Sequence, residues 1–278
     1  MMLPSSATIS CIIPTCDRPD FLAQTIKNVL AQQKLPDEIL VINNGEHALE
    51  LPQELSTKVT VYNLPRYVGA AQARNFGASL AAGDYLAFID DDDLWHENYL
   101  VNIQAAIAGG AEIIISRLDR LADDEIKAYK NAHQKISINN LLIYNPGITG
   151  SNIVVYKKIF LELGGFNPKL PPSEDKSLVL EALLKNKKII TLPDNAAIIR
   201  EHGGVRLTNH AKMAEGIYHF IRHYGQLMTL SQKIANWLKI HNYRWRSGHR
   251  LNFWPFVCLY LITSVIKLLK NKKIKIFN

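Results

Sequence analysis

Four consecutive aspartates, residues 90–93, follow the apolar run at residues 85–89 and precede Leu94 and Trp95. An apolar, β-prone run that ends in charged residues is typical of a buried strand, and open α/β sheets bind ligands at the C-terminal ends of their strands. Adjacent ionised carboxylates repel one another, and a hard divalent cation with oxygen ligands is the simplest group that offsets their charge. An acidic turn before a helix N-terminus is the alternative that needs no ligand.

A second acidic pair, Glu174 and Asp175, follows Ser173 at the start of a predicted helix. A positioned carboxylate can act as a general base towards a poorly acidic hydroxyl. Helix capping explains the same three residues without chemistry, because serine followed by acidic residues is a common helix start. The pair alone does not decide between these two interpretations.

The first 95 residues alternate between strand and helix patterns in the order β-α-β-β-α-β. This order predicts an α/β fold with a doubly wound, mostly parallel sheet. Ligand-binding groups are expected where strands end, at residues 15–18, 43–45 and 90–93. Beyond Trp95 the patterns predict helices at about 96–108, 123–133, 157–163 and 174–185, and strands at 113–116, 153–156, 188–192 and 196–201.

The chain has 278 residues, of which 47% are hydrophobic, enough for one large domain with an appendage. Its three cysteines, Cys11, Cys16 and Cys258, form no disulfide framework and no metal-ligand spacing, which suits a reducing cytosol. The first residues lack the basic and apolar regions of a secretion signal, so we expect the protein to stay inside the cell.

Positive charge is concentrated late in the chain, with eleven lysines and arginines and no carboxylate from residue 216 onward. Residues 251–266 carry no charge and run into a lysine cluster at 267–275. An apolar run that is short for a membrane span, next to lysines and aromatic residues, favours a helix in the interface of an anionic membrane. Packing of this segment on the body or on a second subunit is the alternative. Nucleic-acid binding is not expected, because no recognised module accompanies the charge.

Seven motifs in order give a resemblance to a known family. They are CIIPTCDRP (11–19), VINNG (41–45), GAAQARNFGASLAAGDYLAFIDDDDLW (69–95), GSN (150–152), GGFNPKL (164–170), SEDKSLVLEAL (173–183) and REHGG (200–204). This series resembles the family 2 glycosyltransferases of GT-A fold and covers roughly the first 205 residues. The implied domains are a GT-A catalytic domain at 1–207, with a nucleotide-sugar half to about 95 and an acceptor half after it, a basic helical extension at 208–250, and a membrane-association segment at 251–278.

The resemblance implies transfer of a sugar from a nucleotide-diphosphate donor with Mg2+ or Mn2+. Asp92 and Asp90 match the metal-binding DxD pattern, while Asp91 and Asp93 are expected to be solvated or to contact ribose. His202 resembles a late-domain histidine that approaches the metal, with a structural role as its alternative. Asp175 is implied as the catalytic base, supported by Glu174.

Further positions are implied contacts to the two substrates. The donor contacts are Pro14, Thr15, Asp17, Arg18, Asn44, Arg74, Asp90 and Asp91, and the acceptor contacts are Trp95 and Ser151. Simpler explanations stay open: a surface ion pair for Arg18, a helix-flank position for Arg74 and a core aromatic for Trp95. Asn43-Asn44-Gly45 replaces the family's usual Asp-containing motif and is also a common turn. Cys16 stands where the family has an aromatic residue.

We therefore expect a metal-dependent, inverting glycosyltransferase that uses a UDP-sugar and a hydroxyl of a surface glycan, lipid-linked acceptors included. It would work on the cytoplasmic face of the cell membrane as a peripheral protein. A non-catalytic glycan-binding or scaffold protein on the same fold is the main alternative. A phosphotransferase is a weaker one, because its nucleophile and supporting motifs find no place in this sequence.

Overall fold

The structure is a computed structural model, and it describes residues 7–123, 125–129, 135–201, 209–248, 254–255 and 257–258. The chain divides into two compact units. The first comprises Met1–Ile138, Asn145–Pro168 and Glu174–Gly203, and the second comprises Asn139–Tyr144, Lys169–Ser173 and Gly204–Asn278. The predicted domain boundary at residue 207 falls within residues 202–208, which lie outside the described part of the chain, and stays a prediction.

The strands, in chain order, are β1 (Ile9–Thr15), β2 (Glu38–Asn43), β3 (Thr60–Asn63), β4 (Tyr85–Phe88), β5 (Asp93–Trp95), β6 (Ile113–Ala122), β7 (Glu125–Ala128), β8 (Ile153–Tyr156) and β9 (Ile189–Arg200). The helices are α1 (Pro19–Leu30), α2 (Gln53–Ser56), α3 (Ala70–Leu80), α4 (Tyr99–Ala108), α5 (Ile138–Leu141), α6 (Lys157–Leu163), α7 (Glu174–Leu184), α8 (His210–Tyr224) and α9 (Leu230–Arg246). Short 3-10 turns lie at Gly150–Asn152 and Gly225–Leu227.

One half of the sheet is parallel, as the sequence predicts. Strands β3, β2, β1 and β4 are adjacent in that order, and β1 pairs parallel with both β2 and β4. Thr15 at the end of β1 lies beside Asn43 at the end of β2. Because the strands run the same way, their polar C-terminal residues gather at one edge together with the aspartates that follow β4. The predicted α/β fold is confirmed.

The other half of the sheet has mixed directions. Strand β8 is antiparallel to both β4 and β6, β6 is parallel to β9, and β5 is antiparallel to β9. The register between β6 and β9 shifts between Ser116 and Arg117. Strand β9 therefore continues through the region that the sequence predicts as two separate strands.

The prediction of a helix at 123–133 is wrong for the residues of this range that the structure describes, 123 and 125–129. Within the described residues of this region, 125–128 form β7, which is antiparallel to β6. Asp123 has a positive φ of 52°, and aspartate tolerates this turn conformation better than most residues. The chain therefore reverses at this point and forms a hairpin.

Helix α3 lies very close to the sheet because it has a glycine at the contact. A Cβ atom on Gly77 would lie 2.7 Å from Cγ2 of Ile12 and 3.0 Å from Cγ1 of Ile42. Ala73, Arg74 and Ala78 of the same helix are also buried. Small residues on this face bring Arg74 towards the edge where the strands end.

The second unit contains helices α8 and α9, each with a side-chain cap at its start. Asn209 accepts from the N–H of Lys212, and Thr229 forms a capping box with Gln232. Ala214 and Ile217 of α8 pack with Ile240 of α9. Among the residues that the structure describes, no helix is long and apolar enough to cross a membrane. Nearly all of the segment 251–278 lies outside the described residues.

Candidate active site

The four aspartates form a tight turn between β4 and β5. The N–H of Asp93 donates to the carbonyl of Asp90 at 3.1 Å. Thr25 of α1 donates its hydroxyl to the carbonyls of Asp91 and Asp93, at 2.8 and 2.9 Å. Arg200 of β9 donates from Nε to the carbonyl of Asp92 at 2.6 Å. Two neighbouring elements therefore fix the backbone of this aspartate turn, defined as residues 90–93.

Three carboxylates of the aspartate turn form a set that suits a hard divalent cation. One carboxylate oxygen each from Asp90, Asp92 and Asp93 lies within 4.8 Å of the other two. The side chains of Asp90 and Asp92 are 29% and 17% exposed, so a bound ion could reach both from the solvent side. Oxygen donors of this kind fit Mg2+ or Mn2+ equally well. The set contains Asp90 and Asp92, two of the predicted metal residues, together with Asp93, and metal binding by them stays a prediction.

Asp91 and Asp93 are buried, so the expectation that they are solvated is wrong. Asp91 is 1% exposed, and its carboxylate accepts from the Thr15 hydroxyl at 2.6 Å. Asp93 is 5% exposed and accepts from the Ser151 hydroxyl at 2.5 Å. Burial raises the pKa of Asp91 to about 7 and raises the pKa of Asp93 well above its usual range. Both carboxylates stabilise the aspartate turn through hydrogen bonds to neighbouring elements.

Arg18 contacts the aspartate turn from the side of β1. Its guanidinium pairs with Asp91 at 3.0 Å and also with Asp92. The Arg18 side chain keeps 30% of its surface exposed. A partly exposed guanidinium beside the predicted metal residues could also meet a phosphate. The contacts are to the aspartate turn itself, so Arg18 does not form a remote surface ion pair.

Arg74 is buried and surrounded by carboxylates. Its side chain is 3% exposed, and Nη2 lies 2.5 Å from Oδ1 of Asp90. Its Nη1 lies 3.6 Å from Oδ1 of Asp175 and 3.7 Å from Oε1 of Glu174. Arg74 is therefore not a solvated helix-flank residue. It connects the aspartate turn to the acidic pair of α7.

Glu174 and Asp175 occupy the first turn of α7. Their side chains are 7% and 17% exposed. Burial raises the pKa of both carboxyl groups, while the guanidinium of Arg74 acts in the opposite direction. The backbone N–H of Gly150 also hydrogen-bonds Asp175 and favours its charged form. A carboxylate whose pKa lies above its usual range is a better proton acceptor. Acidic residues are also favoured at a helix start, so the capping interpretation fits the same position.

The predicted nucleotide contacts near β2 hold the strand ends together. The side-chain amide of Asn44 donates to the carbonyl of Thr15 at 3.1 Å, and Asn44 is 4% exposed. A Cβ atom on Gly45 would lie 2.9 Å from the backbone N of Asp17, so a side chain at this position would crowd the turn. Asp17 itself is exposed, whereas Pro14 is buried within β1. Asn43, Asn44 and Gly45 therefore form a hydrogen-bonded turn, and contact of Asn44 with the nucleotide base stays a prediction.

The two predicted acceptor contacts are wrong, because both side chains lie in the core. Trp95 is 1% exposed, stacks on Tyr99 with ring centroids 4.5 Å apart, and donates its indole N–H to the carbonyl of Ser151. Ser151 is fully buried, and its hydroxyl also accepts from the N–H of Asp90 at 3.0 Å. Neither side chain has a surface open to a sugar. They support the aspartate turn instead.

Two further residues of the site were not predicted, and one predicted residue lies outside the described part. Arg200 is 7% exposed and contacts α1 as well as the aspartate turn, donating to Gln24 and Thr25. It lies in the REHGG motif, so its position next to the predicted His202 was the available signal. Thr25 carries no such signal, because it is one polar residue on an amphipathic helix. His202 itself lies outside the described residues.

Known proteins with similar sequences and folds identify the family of this chain. Residues 10–164, more than half of the chain, match the family described as Glycosyl transferase family 2. The chain belongs to this family. It is a glycosyltransferase, and the fold and enzyme class expected from its motifs are confirmed.

Two relatives of this family 2 glycosyltransferase come from Escherichia coli. WcaA of strain K12, a glycosyl transferase assigned to colanic acid biosynthesis, is 25% identical over 236 residues, which is 79% of this chain and 82% of WcaA. WfgD, named as a UDP-Glc:alpha-D-GlcNAc-diphosphoundecaprenol beta-1,3-glucosyltransferase, is 26% identical over 182 residues, covering 64% of this chain and 70% of WfgD.

A solved structure shares the fold. The crystal structure of GalNAc-T7 with UDP, GalNAc and Mn2+ superposes with a TM-score of 0.62 and 17% sequence identity. The match covers 93% of this chain and 57% of that one. The low identity means that this similarity concerns the GT-A fold.

Proposed function

We propose that this enzyme transfers a sugar from a UDP-sugar to a hydroxyl of a bacterial surface glycan, with inversion and with a divalent metal ion. The observation that supports this most strongly is the joining of two acidic sites in one compact unit. The aspartate turn and the acidic pair of α7 meet at Arg74. One acidic site is suited to a metal ion and the other to proton transfer.

The donor would lie at the edge where β1, β2 and β4 end. Arg18 offers a partly exposed cation there, and Asp17 and Asn44 lie on the neighbouring loops. The relative WfgD is named for UDP-Glc, and the GalNAc-T7 structure contains UDP. These names support a uridine nucleotide, with Asn44 as a hydrogen-bonding group for the base.

Asp90 and Asp92, with Asp93 behind them, would hold the Mg2+ or Mn2+ ion, and the GalNAc-T7 structure contains Mn2+. A bound ion of this kind neutralises the diphosphate and stabilises the charge that develops on the leaving nucleotide. The role of the chain is to keep these carboxylates converged. Thr25 and Arg200 do this by fixing the backbone of the aspartate turn.

Asp175 would accept the proton of the attacking hydroxyl, with Glu174 in support. Burial raises the pKa of Asp175, which makes the carboxylate more basic. The Gly150 N–H and Arg74 hold the carboxylate in one place. Because one base is assigned and no second carboxylate is assigned as a nucleophile, a single displacement with inversion is expected.

The acceptor would be a glycan on a lipid carrier, and the protein would sit on the inner face of the membrane. WfgD is named for a diphosphoundecaprenol-linked acceptor, and WcaA is named for colanic acid biosynthesis. The apolar run and lysine cluster of residues 251–275 support peripheral attachment.

Vesicle sedimentation tests this attachment. The full chain should sediment with phosphatidylglycerol vesicles far more than with phosphatidylcholine vesicles. Replacing Lys272, Lys273 and Lys275 with glutamine should reduce that binding about tenfold or more, because each lysine near an anionic surface contributes about 1 kcal/mol. Equal binding to both vesicles would remove the anionic membrane as a partner.

A donor screen by calorimetry tests the proposed function. UDP-, GDP- and dTDP-sugars are titrated into the wild type with Mn2+ and again with EDTA. We expect metal-dependent binding of a UDP-sugar, weakened about tenfold or more in Asp92→Asn. Asp194→Asn, which changes an exposed aspartate of β9, is the matched control. Absence of binding for every donor would favour a non-catalytic scaffold, for which the unusual Asn43-Asn44 pair is the only support.

A further inference from the structure

Arg74 contacts acidic groups from two distant parts of the chain at the same time. Its Nη2 pairs with Asp90 at the end of β4, and its Nη1 faces Asp175 and Glu174 at the start of α7. Under the proposed function, the first group belongs to the metal site and the other two to the proton-transfer site. Arginine suits such a bridge because its planar fork offers several donors in a fixed geometry.

The guanidinium of Arg74 is buried against Phe166 and Gly150. The carbon at its centre lies 5.3 Å from the centroid of the Phe166 ring. Gly150 leaves the space on another side, because a Cβ atom there would lie 2.3 Å from Nη2 and 2.6 Å from Cζ of Arg74. Gly150 also donates its N–H to Asp175. The same glycine therefore positions both the guanidinium and the carboxylate.

The contact between Arg74 and α7 is electrostatic and incomplete in hydrogen bonds. Among the described residues, the buried atoms Nε and Nη1 of Arg74, Oε2 of Glu174 and Oδ1 of Asp175 have no hydrogen-bond partner. Four such atoms together are unusual, since buried polar atoms are nearly always paired. Nη1 of Arg74 and Oδ1 of Asp175 can therefore still form a hydrogen bond, while Nη2 of Arg74 is paired with Asp90.

We propose that Arg74 is a positioning residue that fixes the base Asp175 relative to the aspartate turn, and that it does not bind the donor. The inference rests on the proposed function, which assigns the base and the metal site. It replaces the donor contact expected for Arg74 from its motif. The proposal predicts a specific kinetic pattern. A substitution that misplaces the guanidinium of Arg74 should lower kcat and leave the affinity for the donor unchanged.

Arg74→Lys tests this directly, because lysine keeps the charge and loses the fork. UDP binding is measured by calorimetry with Mn2+, and turnover is measured as UDP released by transfer of the sugar to water from UDP-glucose, UDP-galactose or UDP-N-acetylglucosamine, whichever the wild type uses fastest. We expect kcat to fall about 10- to 100-fold, the range for a misplaced catalytic group, while the Kd for UDP changes less than about threefold. Arg120→Lys, which alters a surface pair with Glu201, is the matched control.

Gly150→Ala is the second variant, because its methyl group would displace the guanidinium without changing any charge. We expect the same pattern, with lower kcat and unchanged Kd, in a protein whose melting temperature confirms folding. Gly225→Ala is its control, since the nearest atom to a Cβ there is 3.9 Å away. If Arg74→Lys does not fold, Gly150→Ala decides.

A Kd for UDP raised tenfold with kcat unchanged would identify Arg74 as a donor contact and overturn the inference. Unchanged kcat and Kd in a folded variant would overturn it as well. Asp175→Asn separates this from failure of the proposed function. If Asp175→Asn is inactive while Arg74→Lys is fully active, only the role of Arg74 is wrong, whereas a fully active Asp175→Asn removes both proposals.

Discussion

The aspartates of the site lie in three environments. Asp90 and Asp92 are partly exposed and can meet an ion, whereas Asp91 and Asp93 are buried and hydrogen-bonded. Asp175 is 17% exposed and lies next to the guanidinium of Arg74. The same residue type thus has three uses, and the environment decides which. Burial favours the protonated acid, and a neighbouring guanidinium or N–H favours the carboxylate.

Turnover should rise with pH, because Asp175 must be ionised to accept a proton. Burial and the nearby carboxylates of Glu174 and Asp90 raise its pKa, while Arg74 and the Gly150 N–H oppose the rise. The ionised fraction, and with it the rate, therefore increases as pH passes upward through the raised pKa. A pH–rate profile of UDP release at saturating Mn2+ should have its ascending limb well above pH 4. A flat profile from pH 5 to 9 would contradict a raised pKa for the base.

At the scale of elements, the sequence predicted what depends on local pattern. The strand ends at Thr15, Asn43 and the aspartate turn meet as expected, because parallel strands align their C-terminal ends. The hairpin at β7 was not predicted, since its polar residues fit a helix as well as an exposed strand. The burial of Trp95 was not predictable either, because it depends on Tyr99 and on the backbone of Ser151.

The site residues, too, divide into those that local motifs predicted and those that only packing brings together. Motifs identified Asp90 and Asp92 at a strand end and Asp175 at a helix start. The contacts of Arg74 with α7 and of Arg200 with α1 join residues roughly a hundred or more positions apart. No local pattern encodes such contacts, since they depend on how the elements pack.

Gly77→Ala should destabilise the first unit, although alanine is the better helix former. The added methyl group would lie 2.7 Å from Ile12 and 3.0 Å from Ile42, so α3 would have to move off the sheet. Overpacking of this kind costs about 1–3 kcal/mol of unfolding free energy. Urea denaturation measures it, with Ser79→Ala on the exposed face of α3 as the control. Equal stability of the two variants would show that α3 is not held so closely.

At the scale of the whole molecule, the acidic site makes stability depend on pH and on metal. Asp91, Asp93, Glu174 and Asp175 have raised pKa values in the folded protein. The folded state therefore binds protons more tightly than the unfolded chain, and the stability this contributes is lost as pH rises through the folded pKa values. A bound divalent cation should restore stability at higher pH, because it binds the folded state alone.

Thermal melting in EDTA should thus give a lower melting temperature at pH 8 than at pH 5.5. Addition of Mn2+ at pH 8 should raise it again. Asp93→Asn should reduce the dependence on pH, because one of the buried carboxyl groups no longer titrates. A melting temperature that rises from pH 5.5 to pH 8 in EDTA would mean that the buried carboxyl groups do not determine how stability depends on pH.

The proposed base is tested most directly by the rate of UDP release from the preferred UDP-sugar with Mn2+ and with water as the acceptor, compared between the wild type and Asp175→Asn. Removal of a general base typically lowers a rate 10²- to 10⁴-fold, so we predict a loss within about that range with UDP affinity unchanged. Asp194→Asn should behave as the wild type. Undiminished release by Asp175→Asn would contradict the account, because no base would then act at the start of α7.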